Sequence, residues 1–206
     1  MIKFYKAKCE SDDESEQQFS NLKDQVWQYE LNNRRILINE DIGSNLIEKA
    51  VLQVYNINNF DSEQEEALKN YTREPIIIYI NTNGGTMDEA FSLISAIETS
   101  QTPIVTIALG KAWSAGFLIL IAGHKRYAQK YSSLMLHQGS AGVAGEFKRM
   151  IEYTDFYQKC HDIMAEYIMK KTKIKKKKID EIFHGKTDLY MSSNEAIELG
   201  VIDEIV

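Results

Sequence analysis

The sequence predicts an α/β protein built on a mostly parallel sheet, and three observations carry that prediction. Two continuous β-branched and aromatic runs, residues 76–80 and 104–109, follow Pro75 and Pro103, the only prolines in the chain. Such runs are typical of strands buried on both faces, and a proline at a strand's start removes no needed ladder bond. Each run then breaks at a glycine-bearing turn and gives way to helical spacing of apolar residues, at 86–100 and 115–122. A third short strand, 133–136, completes an order of strand, helix, strand, helix, strand, the pattern of right-handed crossovers on a parallel sheet.

Taken in order, residues 1–34 are polar and acidic, with Asp, Glu and Gln crowding the span from Glu10 to Gln18. They read as a solvated N-terminal arm with helical character around 19–31, leaving 35–206 as the folded domain. Arg35-Ile36-Leu37-Ile38 is a short apolar strand. Leu46, Ile47, Ala50, Val51 and Val54 have helical spacing across 45–56, and the polar residues 58–74 read as an exposed insertion. The strand at 76–80 stops at Asn81-Thr82-Asn83-Gly84-Gly85. That at 104–109 stops at Gly110-Lys111-Ala112-Trp113-Ser114-Ala115-Gly116, with Gly123 placed to end the helix that follows. After 133–136 the pattern is helical at 145–170 and 177–183. Ser192 to Ala196 has the look of a capped helix start, and 201–206 of a closing strand. No internal repeat is visible.

Composition narrows the function classes. The chain has 206 residues, 44% hydrophobic and 26% charged, enough for one domain with a full core. A formal charge of −6 argues against nucleic acid as the main partner. Cys9 and Cys160 are too far apart in sequence for a disulfide framework or metal-ligand spacing, and read as free thiols of a reducing compartment. The N-terminus has no apolar signal region, and the longest apolar run, 115–122, falls well short of the ~20 residues that span a bilayer. A soluble cytoplasmic protein is expected.

In open parallel sheets, sites form beyond the carboxyl ends of the strands. Three unusual features fall there: Gly84-Gly85 after one strand, Ser114 after the next and His137 after the third. Ser114 at a helix start can serve as a cap or as a nucleophile. The nucleophile reading gains from free backbone N–H groups there and from small neighbours, Ala112, Ala115 and Gly116, which permit a sharp turn. The segment is only part of a G-x-S-x-G elbow, because Ala112 stands at the first glycine. Gly84-Gly85 is a tight βα turn, and it lacks the patterns of phosphate-binding loops. In the catalytic reading the N–H groups of Gly85 and Ala115 form an oxyanion hole. His137 ends an apolar strand, unlike His124, His161 and His184, and is the candidate general base. A carboxylate should orient it, but spacing does not choose among Asp155, Asp180, Asp188 and Asp203.

At these residues the chain resembles the Clp protease proteolytic subunit family, ClpP. Asn81 to Gly85 is similar to the family's N-S-P-G-G turn, GKAWSAG at 110–116 to its G-Q-A-A-S-M-G segment, and LMLHQ at 134–138 to V-M-I-H-Q. Asp188-Leu189-Tyr190-Met191-Ser192, followed by EAIELGVIDEIV, resembles its ending, where an aspartate lies four residues before a serine. The four motifs run in order with matching separations. The resemblance implies the ClpP/crotonase-like fold of repeated ββα units with a mostly parallel sheet and a projecting handle helix at 145–170. It also implies a serine endopeptidase that requires no metal or organic cofactor, with Ser114 as nucleophile, His137 as base and Asp188 as orienting acid, and with Gly85 and Ala115 as oxyanion donors. Peptide or unfolded-protein substrates would add a strand beside Gly85-Thr86-Met87 and the segment after His137, where Ser140 and Ala141 lie. A homo-oligomer of stacked heptameric rings and a partner AAA+ unfoldase are implied as well.

Departures from the family pattern shape further expectations. Asn83 and Gly139 replace prolines, which loosens the turn and the substrate edge. Trp113 is bulky where the family has alanine and reshapes the pocket. Residues 1–34 lack the family's N-terminal apolar pattern, which leaves coupling to an unfoldase open. The basic run 170–178 reads as a solvated helix end and loop. Three other readings compete: a non-catalytic ring subunit, a crotonase-like acyl-CoA enzyme, and a head-maturation or signal-peptide peptidase relative that pairs Ser114 with Lys111.

Overall fold

A computed structural model describes residues 22, 24–139, 144–185 and 187–206. The apolar runs at 76–80 and 104–109 become the centre of one seven-stranded sheet. Its strands are β1 (Arg35–Ile38), β2 (Ile76–Thr82), β3 (Ile104–Trp113), β4 (Lys125–Ala128), β5 (Ser133–Leu136), β6 (Leu189–Ser192) and β7 (Glu204–Ile205). The main path is β1-β2-β3-β4-β7, all parallel. β2 alternates fully buried Ile76, Ile78, Ile80 and Thr82 with half-buried Ile77, Tyr79 and Asn81. One face of this strand is therefore sealed and the other only partly covered.

β3 decides where the site forms. It was expected to stop at Leu109 but continues to Trp113, and its two halves have different neighbours. Residues 105–108 pair with β4, whereas 111–113 pair with β5, also in parallel. β5 in turn pairs antiparallel with β6. The sheet thus forks beyond Gly110, and β5 and β6 stand beside the end of β3 from which the nucleophile candidate emerges. β4 and β6 were not anticipated. Lys125-Arg126-Tyr127-Ala128 has no apolar alternation, and β6 is only four residues long.

The helices are α1 (24–32), α2 (Leu52–Ala67), α3 (Met87–Thr99), α4 (Ala115–Leu120), α5 (Phe147–Lys171), α6 (Lys176–Gly185) and α7 (Ser193–Glu198). Leu31, at the end of α1, packs against the core. A π-helical turn, Ile47–Val51, leads directly into α2. α2 carries the helix through much of the segment expected to be an exposed insertion. The reason is Asp61, which is fully buried in the middle of that polar stretch. Arg34 donates to both of its oxygens, at 2.9 and 2.6 Å, Thr102 donates at 2.6 Å, and the Tyr71 hydroxyl donates as well. A buried carboxylate so fully satisfied lets a polar sequence fold inward.

α4 is buried along its whole length, from Ala115 to Leu120. In α5 only Met164, Tyr167 and Ile168 are buried, all in its C-terminal third. The rest of the helix stands off the core and exposes Phe147, Ile151 and Phe156. This is the projecting helix expected from the sequence. α7 starts with a capping box in which Ser192 accepts from the Glu195 N–H while the Glu195 side chain accepts from the Ser192 N–H. No helix among the described residues is long and apolar enough to cross a membrane. Cys9 lies outside the described residues, and Cys160 is a free, half-buried thiol.

Candidate active site

The site is built where the sheet forks. Trp113 is the last residue of β3 to pair with β5, opposite Met135. The next residue, Ser114, still donates its N–H to the Met135 carbonyl at 2.9 Å, although the chain has begun to turn. Ser114 turns with φ 55° and ψ −120°, and α4 starts at Ala115. Positive φ in a non-glycine residue is strained backbone, and it persists only where its surroundings hold it. Here the β5 carbonyl holds it from one side and the Gly84 turn from the other.

β5 and β6 supply the remaining groups. Their antiparallel register pairs Met135 with Tyr190 and Leu136 with Leu189, so the next step places His137 opposite Asp188. His137 Nε2 and Ser114 Oγ share a hydrogen bond of 2.7 Å. His137 Nδ1 lies 4.0 Å from Asp188 Oδ1, within ion-pair reach but too long for a hydrogen bond. The other three aspartates left open by spacing do not face the imidazole. Asp155 and Asp180 are exposed on α5 and α6, and Asp203 is paired with Arg126. Geometry selects Asp188 where the linear sequence did not.

The Gly84-Gly85 turn packs directly onto Ser114. A Cβ added to Gly84, at φ 108°, would stand 2.6 Å from Ser114 Cβ and 3.1 Å from the Ala115 amide nitrogen. Only glycine allows this approach. Ile42 fixes the turn from its other side: its N–H donates to the Gly84 carbonyl at 2.7 Å and its carbonyl accepts from the Thr86 N–H at 2.9 Å. The Thr86 hydroxyl donates to the same carbonyl at 3.0 Å. The N–H and C=O of Gly85, between these two bonds, point away from Ile42. Among the described residues neither the Gly85 N–H nor the Ala115 N–H has a backbone acceptor outside its own element. Thr86 thus anchors the turn, and Met87 begins α3. Ser140 and Ala141 lie outside the described residues.

Asn83, expected to loosen the turn, carries hydrogen bonds that a proline could not. Its Oδ1 accepts from Lys111 Nζ at 2.6 Å and its Nδ2 donates to Asp41 at 3.1 Å. Lys111 is thereby directed at Asn83 and over the Trp113 ring, 5.6 Å from its centroid, rather than at Ser114. Nothing here resembles a Ser–Lys pair. Trp113 donates its indole N–H to Ser133 Oγ at 3.0 Å and meets Tyr190 edge-on, with centroids 5.8 Å apart. The Tyr190 hydroxyl donates to Asp188 Oδ2 at 3.5 Å. Sequence reading missed Ile42, the Lys111–Asn83 bridge and Tyr190. Only the period-2 alternation of β6, which puts residues 188 and 190 on one face, could have pointed to the last of these. Among the described residues no group of three His, Cys, Asp or Glu side chains is arranged to hold a metal.

Comparison with known proteins agrees with this architecture. The Clp protease family profile matches residues 18–206. The chain is 28% identical over 178 residues to the ATP-dependent Clp protease proteolytic subunit of Deinococcus radiodurans, covering 85% of this chain and 81% of that protein. It is 28% identical over 191 residues to proteolytic subunit 2 of Bacillus licheniformis, covering 85% and 87%. It is 27% identical over 188 residues to proteolytic subunit 2 of Treponema denticola, covering 90% and 88%. With nearly its whole length matched, the chain belongs to the Clp protease family.

Proposed function

We propose that this chain is a serine endopeptidase that acts on extended peptides within an oligomeric chamber. The observation that carries the reading is the 2.7 Å hydrogen bond between His137 Nε2 and Ser114 Oγ, with Ser114 held in a strained turn beside the Gly85 and Ala115 amides, which among the described residues have no backbone acceptor outside their own elements. In this reading Ser114 Oγ attacks the scissile carbonyl while His137 takes its proton. The oxyanion sits between the N–H groups of Gly85 and Ala115. Two such donors lower the barrier by several kcal/mol because they are fixed before charge develops. His137 returns the proton to the leaving amine, and then activates the water that hydrolyses the acyl-enzyme.

Asp188 orients His137 and stabilises the imidazolium. To do so it closes the present 4.0 Å gap by about 1 Å, a modest side-chain movement for an exposed carboxylate. The substrate backbone pairs with the outward-facing N–H and C=O of Gly85, flanked by Thr86, which anchors the turn, and by Met87 at the start of α3. The exposed apolar residues of α5, Phe147, Ile151 and Phe156, become covered when copies of the chain assemble into stacked rings. An ATP-driven partner, in this reading a AAA+ unfoldase, would then feed the chamber; the support is that the relatives are named as ATP-dependent.

The test combines labelling with assembly. Ser114→Ala is expected to abolish labelling by a fluorophosphonate and hydrolysis of short peptides, while light scattering shows a particle of many subunits for both proteins. Labelling that survives the substitution removes Ser114 from the mechanism. Labelling absent from the unsubstituted chain supports a non-catalytic ring subunit instead.

A further inference from the structure

We propose that Tyr190 is a positioning residue for the triad, holding the Asp188 carboxylate so that its other oxygen faces His137; this rests on the peptidase reading above. The argument begins with the strand. Residues 188 and 190 are two apart at the start of β6, so their side chains leave the sheet on the same face. The register places Tyr190 opposite Met135 and Leu189 opposite Leu136, and its next step, two pairs on from Tyr190, brings Asp188 opposite His137. The Tyr190 hydroxyl reaches Asp188 Oδ2 at 3.5 Å, and Oδ1 is the oxygen turned towards His137 Nδ1. Among the described residues Tyr190 is the one hydrogen-bond donor to Asp188.

The ring that carries this hydroxyl is itself fixed, although its residue is 56% exposed. It stands edge-on against Trp113 at 5.8 Å, an arrangement favoured by the aromatic quadrupoles. Trp113 is held in turn by its bond to Ser133 Oγ and by Lys111 above its face. Trp113 precedes the nucleophile candidate in sequence, so one aromatic pair links the strand that carries Ser114 to the strand that follows Asp188. A carboxylate half open to water has several rotamers of similar energy. A phenol within hydrogen-bond reach of one of its oxygens, here at 3.5 Å, biases the choice among them, which is what orientation of the imidazole requires. Among the described residues the other charged side chains lining the cavity of about 330 Å³ beside Asp188 are Lys178 and Glu181 of α6, which pair with each other at 3.5 Å.

The experiment compares the full-length chain with Tyr190→Phe, which keeps the ring against Trp113 and deletes only the hydroxyl. Peptide hydrolysis should lose about fivefold in kcat with KM held within about twofold, the scale of one hydrogen bond to a charged group in a partly exposed site. The acid limb of the kcat/KM profile should move to lower pH, because a less well-oriented Asp188 stabilises the imidazolium less. Tyr190→Leu should fall further, since it also removes the ring. The titration of His137, followed by NMR without substrate, should fall in the Phe variant as well. An unchanged kcat, acid limb and titration would overturn the proposal, and so would a faster Phe variant, which would make Tyr190 a brake. A wild-type chain that hydrolyses no peptide while its His137 titration still drops in Tyr190→Phe would sink the peptidase reading and leave the positioning role standing.

Discussion

Gly84 lies with its bare Cα against Ser114, so close that a methyl group on it would approach Ser114 Cβ to 2.6 Å. The turn that ends β2 and the turn that ends β3 are therefore one packed unit. The strained φ of Ser114 and the amides of Gly85 and Ala115, which among the described residues have no backbone acceptor outside their own elements, depend on each other. On the proposed mechanism such a site needs no large cavity, because its oxyanion donors would be backbone atoms fixed by the sheet.

Gly84→Ala tests that dependence. The added methyl meets Ser114 Cβ, the Trp113 carbonyl and the Ala115 nitrogen, and the residue must also keep φ at 108°. Backbone strain of this kind costs on the order of 1–3 kcal/mol. Displacing an oxyanion donor lowers kcat by about 10²–10³-fold. Peptide hydrolysis should fall by at least two orders of magnitude while the protein remains folded by circular dichroism. Activity within twofold of the unsubstituted chain would show that the two turns do not act as a unit.

Asn83→Ala isolates the side-chain bridge that stands where the family has a proline. The substitution removes one hydrogen bond to Lys111 and one to Asp41, both near the surface. Net contributions of about 0.5 kcal/mol each are expected at such positions, or about fivefold in kcat/KM if the turn loosens. Lys111→Met, which breaks one of the two bonds, should show the smaller loss. Equal activity in all three proteins would mean that Ile42 alone fixes the turn, through its pairing with Gly84 and Thr86.

These contacts mark where sequence reading stopped. β2, the first half of β3 and β5 were legible because burial leaves an unbroken apolar run, and Ser114 and His137 were legible because they interrupt such runs at strand ends. The choice of Asp188 was not legible from spacing. It depends on the β5–β6 register, and an antiparallel strand of four residues leaves too short a pattern to read. α2 was cut short for a different reason. The polar stretch 58–74 reads as an exposed insertion, whereas Asp61 within it is buried by partners at positions 34, 71 and 102. Polar residues satisfied by distant partners carry no local signal of burial.

Asp61 offers the last prediction, one that concerns stability rather than chemistry. Burial pushes its carboxyl up, but hydrogen bonds from Arg34, Thr102 and Tyr71, with the Arg34 charge, outweigh this and hold it at about 2 against an ordinary 3.8. A folded-state value below the unfolded one means that the unfolded chain binds the proton more readily. The stabilisation is therefore fully present above pH 3.8 and is lost as the pH falls towards 2, and it is about 2 kcal/mol at neutral pH. Asp61→Asn removes the charge and leaves Arg34 facing an amide, so at pH 7 it should destabilise the chain by about 2–4 kcal/mol. The gap between the two proteins should then narrow between pH 4 and pH 2, where the native carboxyl itself becomes protonated. Urea unfolding at fixed protein concentration, followed by tryptophan fluorescence at several pH values, measures both effects. A gap that stays constant over that range would show that Asp61 acts through packing and hydrogen bonds alone, not through its charge.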